Sequence, residues 1–319
     1  PCAPTTSDLS LCNNSATYCS PSTAISSFPY TENFSSATSS MNFGGEWCFS
    51  SSNSYGRIRQ YSLSGDYVIL MDSRTNGGTV ENSMTLSLDL SSYSAADQVN
   101  LNFNRSDHGD ENHTQDRVQF SPNGGTTWYT AVSNLGNVNN TSQSANATVD
   151  LAALSGFSWS SNFLVKFSQY DNYTYSMDGI AFDDVSVAIV YPPGYWLGAT
   201  STAWGTGSNW ADGNVPSSSV DVVIPSSYTY APNVNQDATC ASITIASGKT
   251  LTVASGKTLT VSGTSDINGT LTGAGTFDAN GTFDANTGSI TMSGKLKLGS
   301  TVSSLGTLST STGTVEYDG

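Results

Sequence analysis

Charged residues are scarce in this chain. Asp, Glu, Lys and Arg make up 11% of its 319 residues, against about a quarter in an average soluble domain. Ten bases face 25 acids, so the net charge at pH 7 is −15. Because this surface repels a phosphate backbone, the composition argues against nucleic-acid binding. It attracts divalent cations such as calcium, although solubility alone is an alternative reason for the acidity.

Long apolar runs and helical periodicity are also lacking. No stretch of the sequence is long and apolar enough to span a membrane. Apolar residues instead alternate over short runs that Gly, Asn, Asp and Ser interrupt, and this pattern predicts an all-β protein. The sequence starts with Pro and shows no secretory leader, so we expect a mature form from which a leader has been removed.

Residues for catalysis are few. The two histidines, His108 and His113, both lie in the segment NRSDHGDENHTQDRVQFSPNGGTTWY, which we interpret as an exposed polar connection leading into a hairpin. Neither a GxSxG elbow nor an HExxH helix is present. Glutamates are also rare, which argues against a glycosidase. We therefore expect a protein that is not an enzyme.

Cysteine is infrequent and unevenly placed. Cys2, Cys12, Cys19 and Cys48 cluster near the start, which predicts two disulfides of undetermined connectivity. Disulfides indicate an oxidising compartment, so the expected location is secreted or at the cell surface. No CxxC pair supports a zinc site. Cys240 is either a buried thiol or an intermolecular partner.

Three zones of the sequence differ in composition and strand pattern. Residues 1–24 form a Cys-rich N-terminal segment. Residues 25–191 contain about eight aromatic-rich strands such as NFLVKFSQYD, and RVQFSPNGGTTWYTAV predicts a hairpin around an Asn-Gly-Gly turn. This zone predicts an antiparallel jelly-roll β-sandwich. Pro192-Pro193-Gly194 follows it and is typical of a linker. Residues 192–319 form the third zone.

Short repeats distinguish the third zone. ASGKTLTV occurs in tandem at 246–253 and 254–261, and such strands bury their apolar face only by stacking on neighbours. The pattern predicts a parallel β-solenoid, with hairpins of a second sandwich as the alternative. An open solenoid end favours self-association into a filament or continuation of the chain. The expected inner column comprises Leu251, Val253, Leu259, Val261, Ile267, Leu271, Phe277, Phe283, Ile290 and Leu296.

Three motifs of the second zone carry a family resemblance. FPYTENF, SPNGGTTW and DGIAFDDVSV follow one another in this order, and residues 25–191 thereby resemble the MAM-like jelly-roll domains of secreted and surface proteins. The resemblance implies a structural calcium ion where the N-terminal segment meets the Asp-Asp-Val strand, with Glu32, Asp183 and Asp184 as ligands. Ser35 departs from the family pattern, which often has an acid there.

A second resemblance covers residues 195–319. The Trp-rich stretch YWLGATSTAWGTGSNWADGNVPSSSVDVVIP and the following ASITIASGKTLTV are similar to β-solenoid modules of large bacterial surface proteins, often exported by the type IX pathway. The resemblance implies a cap in which Trp196, Trp204 and Trp210 cover the first rung. Such modules occur in adhesins, filaments and exoenzymes, so the resemblance does not specify a ligand.

Two further sets of residues are candidates for binding. Asp107, Asp110, Glu111 and Asp116 supply oxygens for a cation or a contact surface. Tyr170, Tyr173 and Tyr175 are candidates for stacking on sugar rings, with packing at the sandwich rim as the alternative. We therefore expect a non-enzymatic adhesive or structural component of a bacterial surface appendage or filament, whose partners are surface glycans and copies of itself. The alternative is a carbohydrate-binding accessory region of a larger secreted enzyme.

Overall fold

The chain divides into two compact units, Pro1–Val190 and Tyr191–Gly319. The computed structural model describes residues 20–36, 43–63, 65–94, 96, 98–136, 144–145, 148–174, 179–309 and 313–319. The fold is all-β, as predicted: the N-terminal unit is an antiparallel sandwich and the C-terminal unit is a parallel solenoid. Among the described residues, no helix has the length and apolar character needed to cross a membrane. The predicted Cys-rich segment lies mostly outside the described residues.

The described part of the N-terminal unit contains twelve strands and two short 3₁₀ helices, Ser91–Tyr93 and Leu151–Ala153. The strands are β1 (Tyr30–Glu32), β2 (Trp47–Ser51), β3 (Gly56–Leu63), β4 (Asp66–Ser73), β5 (Val80–Leu88), β6 (Gln98–Asp107), β7 (Arg117–Ser121), β8 (Tyr129–Val132), β9 (Ser144–Ala145), β10 (Val149–Asp150), β11 (Phe163–Asp171) and β12 (Ile180–Val190).

These strands form two antiparallel sheets. Sheet A has the order β10-β6-β12-β4-β3, with β1 paired to β12 and β9 paired to β6; sheet B has the order β2-β5-β11-β7-β8. Alternate residues of each strand face the other sheet, and aromatic rings fill the space between them. The Phe167 ring of sheet B lies 5.2 Å from Phe103 and 5.4 Å from Phe182 of sheet A. Because such edge-to-face ring pairs favour packing beyond their buried area, they fix one sheet on the other.

The predicted hairpin joins β7 to β8. Gly124 and Gly125 both have positive φ, of 66° and 91°, which a residue with a Cβ adopts only at a cost. The Ser121 hydroxyl accepts a hydrogen bond from the Gly125 amide at 2.9 Å, and the Asn123 side chain accepts one from the Thr127 amide at 2.9 Å. The turn therefore sets the position of Trp128, which directly precedes β8.

The C-terminal unit is a solenoid of about five turns over residues 222–317. A 3₁₀ helix, Gly207–Asn209, precedes it. Its strands are β13 (Val222–Ile224), β14 (Asn233–Val234), β15 (Ala238–Cys240), β16 (Ile243–Ile245), β17 (Thr250–Val253), β18 (Thr258–Val261), β19 (Ser265–Ile267), β20 (Thr270–Gly273), β21 (Thr276–Ala279), β22 (Phe283–Asp284), β23 (Ser289–Met292), β24 (Lys295–Leu298), β25 (Val302–Ser304), β26 (Thr307–Leu308) and β27 (Thr314–Tyr317).

Each turn contributes one strand to each of three parallel sheets. Sheet C is β13-β16-β19-β22-β25, sheet D is β14-β17-β20-β23-β26, and sheet E is β15-β18-β21-β24-β27. All ten residues predicted for the inner column are at most 1% exposed and belong to one apolar core. The alternation in each short strand thus sends every second side chain inward, where it stacks on its equivalent in the next turn.

The tandem repeat has an unexpected placement. Its two copies provide β17 in sheet D and β18 in sheet E, so they are consecutive sides of one turn and do not stack on each other. Gly248 and Gly256, with φ of 73° and 68°, form the equivalent bends that precede these strands. The eight-residue repeat therefore corresponds to one of the three sides of a turn, and a full turn of the solenoid contains three such sides.

Three tryptophans cap the solenoid core, as the resemblance implied. Trp196, Trp204 and Trp210 are at most 2% exposed and join the apolar cluster of the solenoid. The Trp210 ring lies 4.8 Å from Trp196 and 4.7 Å from Trp204, and its Nε1 donates a hydrogen bond to the Trp204 carbonyl at 2.8 Å. The Trp196 amide donates to the Val223 carbonyl at 3.0 Å, which attaches the cap to the first turn.

Candidate functional site

The acidic segment between β6 and β7 is partly exposed, as expected of a connection, but three of its four predicted carboxylates are buried. Asp107, Asp110 and Asp116 are at most 2% exposed, and only Glu111 of the four predicted carboxylates is exposed. Asp107 Oδ1 accepts hydrogen bonds from the amides of Gly109 at 3.0 Å and Asp110 at 2.8 Å. These carboxylates therefore satisfy backbone amides that the irregular segment would otherwise bury without partners.

Asp116 connects this segment to β11. Its carboxylate accepts hydrogen bonds from the amides of Tyr170 at 2.8 Å and His113 at 2.5 Å. Burial raises the pKa of Asp116, while these two hydrogen bonds lower it. The His113 ring packs 5.0 Å from the Tyr170 ring. His113 and Asp116 thus attach the segment to β11 of sheet B. Their contacts serve the structure of this segment.

The carboxylates taken from the MAM-like resemblance lie at the pairing of β1 with β12. Glu32 is opposite Val185, and a register shift separates Asp183 from Ser186. Asp183 is buried and Asp184 is exposed. Asp184 has a φ of 47° and accepts a hydrogen bond from the Asn104 side chain at 2.6 Å. Burial raises the pKa of Glu32, and the charge of Glu46 raises it further, while the Phe34 amide lowers it.

The predicted calcium ligands form no compact set of acids. Among the residues that the structure describes, no three His, Cys, Asp or Glu side chains are grouped to hold a metal ion. Calcium takes six to eight oxygens, so an ion beside Glu32 and Asp184 would draw most of its ligands from carbonyls, amide side chains or water. Calcium remains a prediction for this end of the sandwich.

The three tyrosines do not form one platform among the described residues. Tyr170 packs against His113, and Tyr173 is 36% exposed with its amide bonded to Asp171 at 2.8 Å. Tyr175 lies outside the described residues. Of the two tyrosines that the structure describes, Tyr170 packs within the sandwich rim and Tyr173 is exposed; sugar binding by this set stays a prediction.

The cysteines differ in state. Cys48 is buried and disulfide-bonded, whereas Cys2, Cys12 and Cys19 lie outside the described residues. Cys240 is a free thiol with no exposed surface. Burial raises the pKa of its thiol to about 12, which suppresses the reactive thiolate. Of the two alternatives for Cys240, a buried thiol or an intermolecular disulfide partner, the structure shows the buried thiol.

A cleft of about 550 Å³ lies over the outward face of sheet B. This volume is within the range of small-molecule sites in proteins. Hydroxyl side chains dominate its lining, together with Trp128, Leu164 and one residue of each charge, Glu81 and Lys166. The hydroxyl-bearing lining residues are Ser20, Ser50, Ser51, Ser52, Ser83, Thr85 and Thr126.

Strand pairing assembles this lining from distant parts of the sequence. Ser50 of β2 lies opposite Ser83 of β5, and their hydroxyls are 2.9 Å apart. In the next row, Thr85 of β5 lies opposite Lys166 of β11, which lies opposite Gln119 of β7. These are the positions that alternate with core residues, so the same strands that build the core also present a polar outer surface.

Trp128 and Lys166 form one wall of the cleft. The Lys166 ammonium lies 4.2 Å from the centre of the Trp128 ring, a cation–π contact. Burial lowers the pKa of Lys166, and the charge of Glu81 raises it. A Cβ at Gly125 would make ordinary contacts with Trp128 at 3.5 Å and Leu164 at 3.7 Å, so the positive φ of this residue, and not a lack of space, favours glycine here. The wall therefore combines an aromatic surface with a fixed positive charge.

Sequence reasoning missed this cleft. Its signal was present in the outward positions of SMTLSLDL, where Ser83, Thr85 and Ser87 alternate with core residues. These small polar residues indicated an outer face of a strand, but the neighbouring strands were needed to show that the hydroxyls converge with Trp128.

A match to a known protein family lies in the C-terminal unit. Residues 195–298 match a domain of unknown function, DUF8693. The match starts at the Trp-rich cap and ends with β24, so it covers most of the solenoid. No curated protein and no solved structure matches the chain. The DUF8693 match describes about the same segment as the solenoid resemblance and assigns no activity to it.

Proposed function

We propose that this protein is a non-enzymatic, extracellular adhesive protein of the bacterial surface. Its sandwich binds a saccharide in the cleft on sheet B, and its solenoid is a stiff stem. The observation that carries the proposal is the cleft, where a row of hydroxyls faces the Trp128–Lys166 wall.

The chemistry of the lining supports a saccharide ligand. Sugars offer many hydroxyls that both donate and accept hydrogen bonds, and Ser and Thr side chains do the same. Their C–H faces pack against aromatic rings. The single Lys166 and Glu81 provide two fixed charges for orientation without giving the cleft a strong net charge.

The stem role follows from the stacking of the turns. Each turn contacts only its neighbours, and the four spacings between five stacked turns, at about 4.8 Å each, extend the unit by roughly 19 Å. The resemblance of this unit to modules of surface proteins supports placement in an appendage or filament, in which copies of the chain associate. A structural calcium ion at Glu32 and Asp184 belongs to the same proposal.

The placement of the histidines supports a role without catalysis. His108 Nε2 lies 3.1 Å from the Ser106 hydroxyl, and neither residue lines the cleft. His113 packs on Tyr170 and contacts Asp116. Both rings therefore serve contacts within the folded segment, away from the residues that line the cleft.

A glycan array with the purified full chain tests the proposal. We expect binding to a defined saccharide class, lost in Trp128→Ala and retained in Tyr67→Ala, which removes an exposed aromatic of sheet A. A wild-type chain that binds no saccharide, or a Trp128→Ala chain that binds equally well, contradicts it. Fibres in negative-stain images would support the filament role, whereas saccharide binding by a monomer without fibres favours the accessory region of a secreted enzyme.

A further inference from the structure

Lys166 has no carboxylate partner in the described part of the chain. The sequence contains 25 acids and 10 bases, and the bases that form salt bridges with acids are Arg57, Arg59, Lys295 and Lys297. Over the same residues, the Lys166 ammonium has neither a salt bridge nor a hydrogen bond, and it contacts the Trp128 ring at 4.2 Å. Because an ammonium has three N–H donors, Lys166 still has donors to offer to a ligand in the cleft.

A second cation, Arg117, lies beside Lys166 on the outward face of sheet B. Both residues alternate with core residues in their strands, so both point away from the core. Arg117 lies opposite Ser168, two residues after Lys166, and diagonal neighbours of this kind are about 7–8 Å apart. Burial lowers the pKa of Lys166, and the charge of Arg117 lowers it further. This part of the face therefore carries two positive charges.

Three buried polar atoms around these cations have no hydrogen-bond partner among the described atoms: Ser168 Oγ, Gln119 Oε1 and Arg117 Nε. Ser168 is 0% exposed and Gln119 is 6% exposed. Buried polar groups are rarely left unpaired, so such a cluster indicates a place where water or a ligand group completes the hydrogen bonds. These three residues do not line the cleft, whereas Lys166 does. Lys166 is therefore the member of this cluster that a ligand contacts.

The two charges that line the cleft are separated along β5. Lys166 lies opposite Thr85 of this strand, and Glu81 lies four residues before Thr85, about 13 Å away along the strand. Ser83 lies between them and contributes a hydroxyl to the lining. An anionic group on a ligand is therefore attracted to the Lys166 end of the cleft and repelled from the Glu81 end, which gives the ligand one preferred orientation.

We infer that the saccharide bound in this cleft is acidic, and that its carboxylate or sulfate oxygens pair with the Lys166 ammonium beside Trp128. The inference rests on the saccharide function proposed above and adds the class of saccharide, a uronic acid or a sulfated sugar. Both groups accept charge-assisted hydrogen bonds, which are stronger than neutral ones. A neutral sugar would leave this partly buried charge without the ionic partner that favours its burial.

Calorimetric titration of the full chain with paired oligosaccharides tests the inference. One pair is an oligogalacturonate and its methyl ester, and the other is a sulfated galactan oligosaccharide and its desulfated form. We expect an acidic member to bind about tenfold more tightly than its neutral counterpart, and the pair that responds distinguishes carboxylate from sulfate. The preference should shrink between about 0.05 and 0.5 M salt, because salt screens the charges.

Substitutions of Lys166 separate the effect of its charge from an effect on the fold. Lys166→Met should bring the acidic and neutral affinities together, whereas Lys166→Arg, which retains the charge, should keep the preference. Lys257→Met is the matched control, because Lys257 lies in the C-terminal unit and does not line the cleft. If Lys166→Met does not fold, the salt dependence of the wild-type preference provides the test without a variant.

Three results overturn the inference. If the wild-type chain binds the neutral member of each pair as tightly as the acidic one, the saccharide function stands and the acidic class is wrong. If the preference for the acidic member survives in folded Lys166→Met, the anionic group binds elsewhere. If the wild-type chain binds no saccharide at all, the proposed function of the cleft fails and this inference fails with it.

Discussion

The ammonium group of Lys166 lies 4.2 Å from the centre of the Trp128 indole, although the two residues are far apart in the sequence. Lys166 lies within β11, whereas Trp128 follows the turn after β7. The contact holds the lysine at the wall of the cleft, so its charge is available to a ligand at a fixed place. It also covers part of one face of the indole.

Replacing Lys166 with Met should weaken saccharide binding more than it weakens the fold. A hydrogen bond to a charged group contributes about 1.5–3 kcal/mol, so we expect the Kd to rise about ten- to a hundredfold. Calorimetric titration of the saccharide found by the array measures this change.

Lys257→Met is the control, because Lys257 lies in the solenoid and contributes nothing to the cleft. Since burial lowers the pKa of Lys166, loss of its charge should leave the free energy of unfolding near neutral pH unchanged or raise it. If Lys166→Met binds the saccharide with unaltered affinity, Lys166 does not contribute to the binding site.

His108 should make the N-terminal unit less stable in mild acid. Burial lowers the pKa of His108 below 6.5, and the charge of Asp107 opposes this only in part. The unfolded chain therefore takes up the proton first, and stability falls as the pH drops from about 6.5 towards the folded pKa. Below that folded pKa, this contribution is constant.

Urea unfolding between neutral pH and about pH 5 measures this loss. His108→Gln should have a flatter pH dependence than the wild type. Asp116 and Glu32, whose pKa values are raised by burial, act in the opposite direction and are unchanged in the variant, so the difference between the two chains isolates the histidine. Parallel pH profiles would contradict the assignment.

Local pattern was enough to predict the strands and the core of this fold. DYVILMDS coincides with β4, and all ten residues predicted for the inner column of the solenoid are buried, although Ile243, Ile245 and Leu298 belong to the same core. Alternation within a strand depends only on neighbours in the sequence. The cleft depends on strand pairing. Ser83, Lys166 and Trp128 meet only because β5, β11 and β7 are adjacent, and no local pattern specifies that order.

The acidic segment and the tandem repeat show two further limits. Asp107 and Asp116 suggested a solvated loop because carboxylates are usually exposed, but their partners are backbone amides, which the sequence does not reveal. The repeat ASGKTLTV predicted stacking correctly, yet its copies occupy adjacent sheets. The number of sides in a turn depends on the bends, which are less regular than the strands.

Trp210→Ala should destabilise the solenoid strongly. The substitution empties a site that is 2% exposed, removes two ring contacts and leaves the Trp204 carbonyl without its indole donor. Deletion of a buried tryptophan side chain costs about 3–5 kcal/mol. Urea unfolding measures the change. Tyr230→Ala is the control: its side chain is 46% exposed, while its carbonyl still accepts from Trp196. Equal midpoints for the two variants would show that the cap is dispensable.

Calcium should raise the melting temperature of the N-terminal unit if Glu32 and Asp184 help to hold the ion. A ligand present at a hundred times its Kd stabilises the folded state by about 2.7 kcal/mol. Scanning calorimetry with calcium and with a chelator should therefore give two different temperatures for the wild type and one for Asp184→Asn. Asp184 suits this test because it is exposed, so its replacement leaves the core intact. Asp66→Asn, at an exposed position of sheet A, should keep the full calcium response. A chelator that leaves the wild-type melting temperature unchanged would show that no structural ion is present.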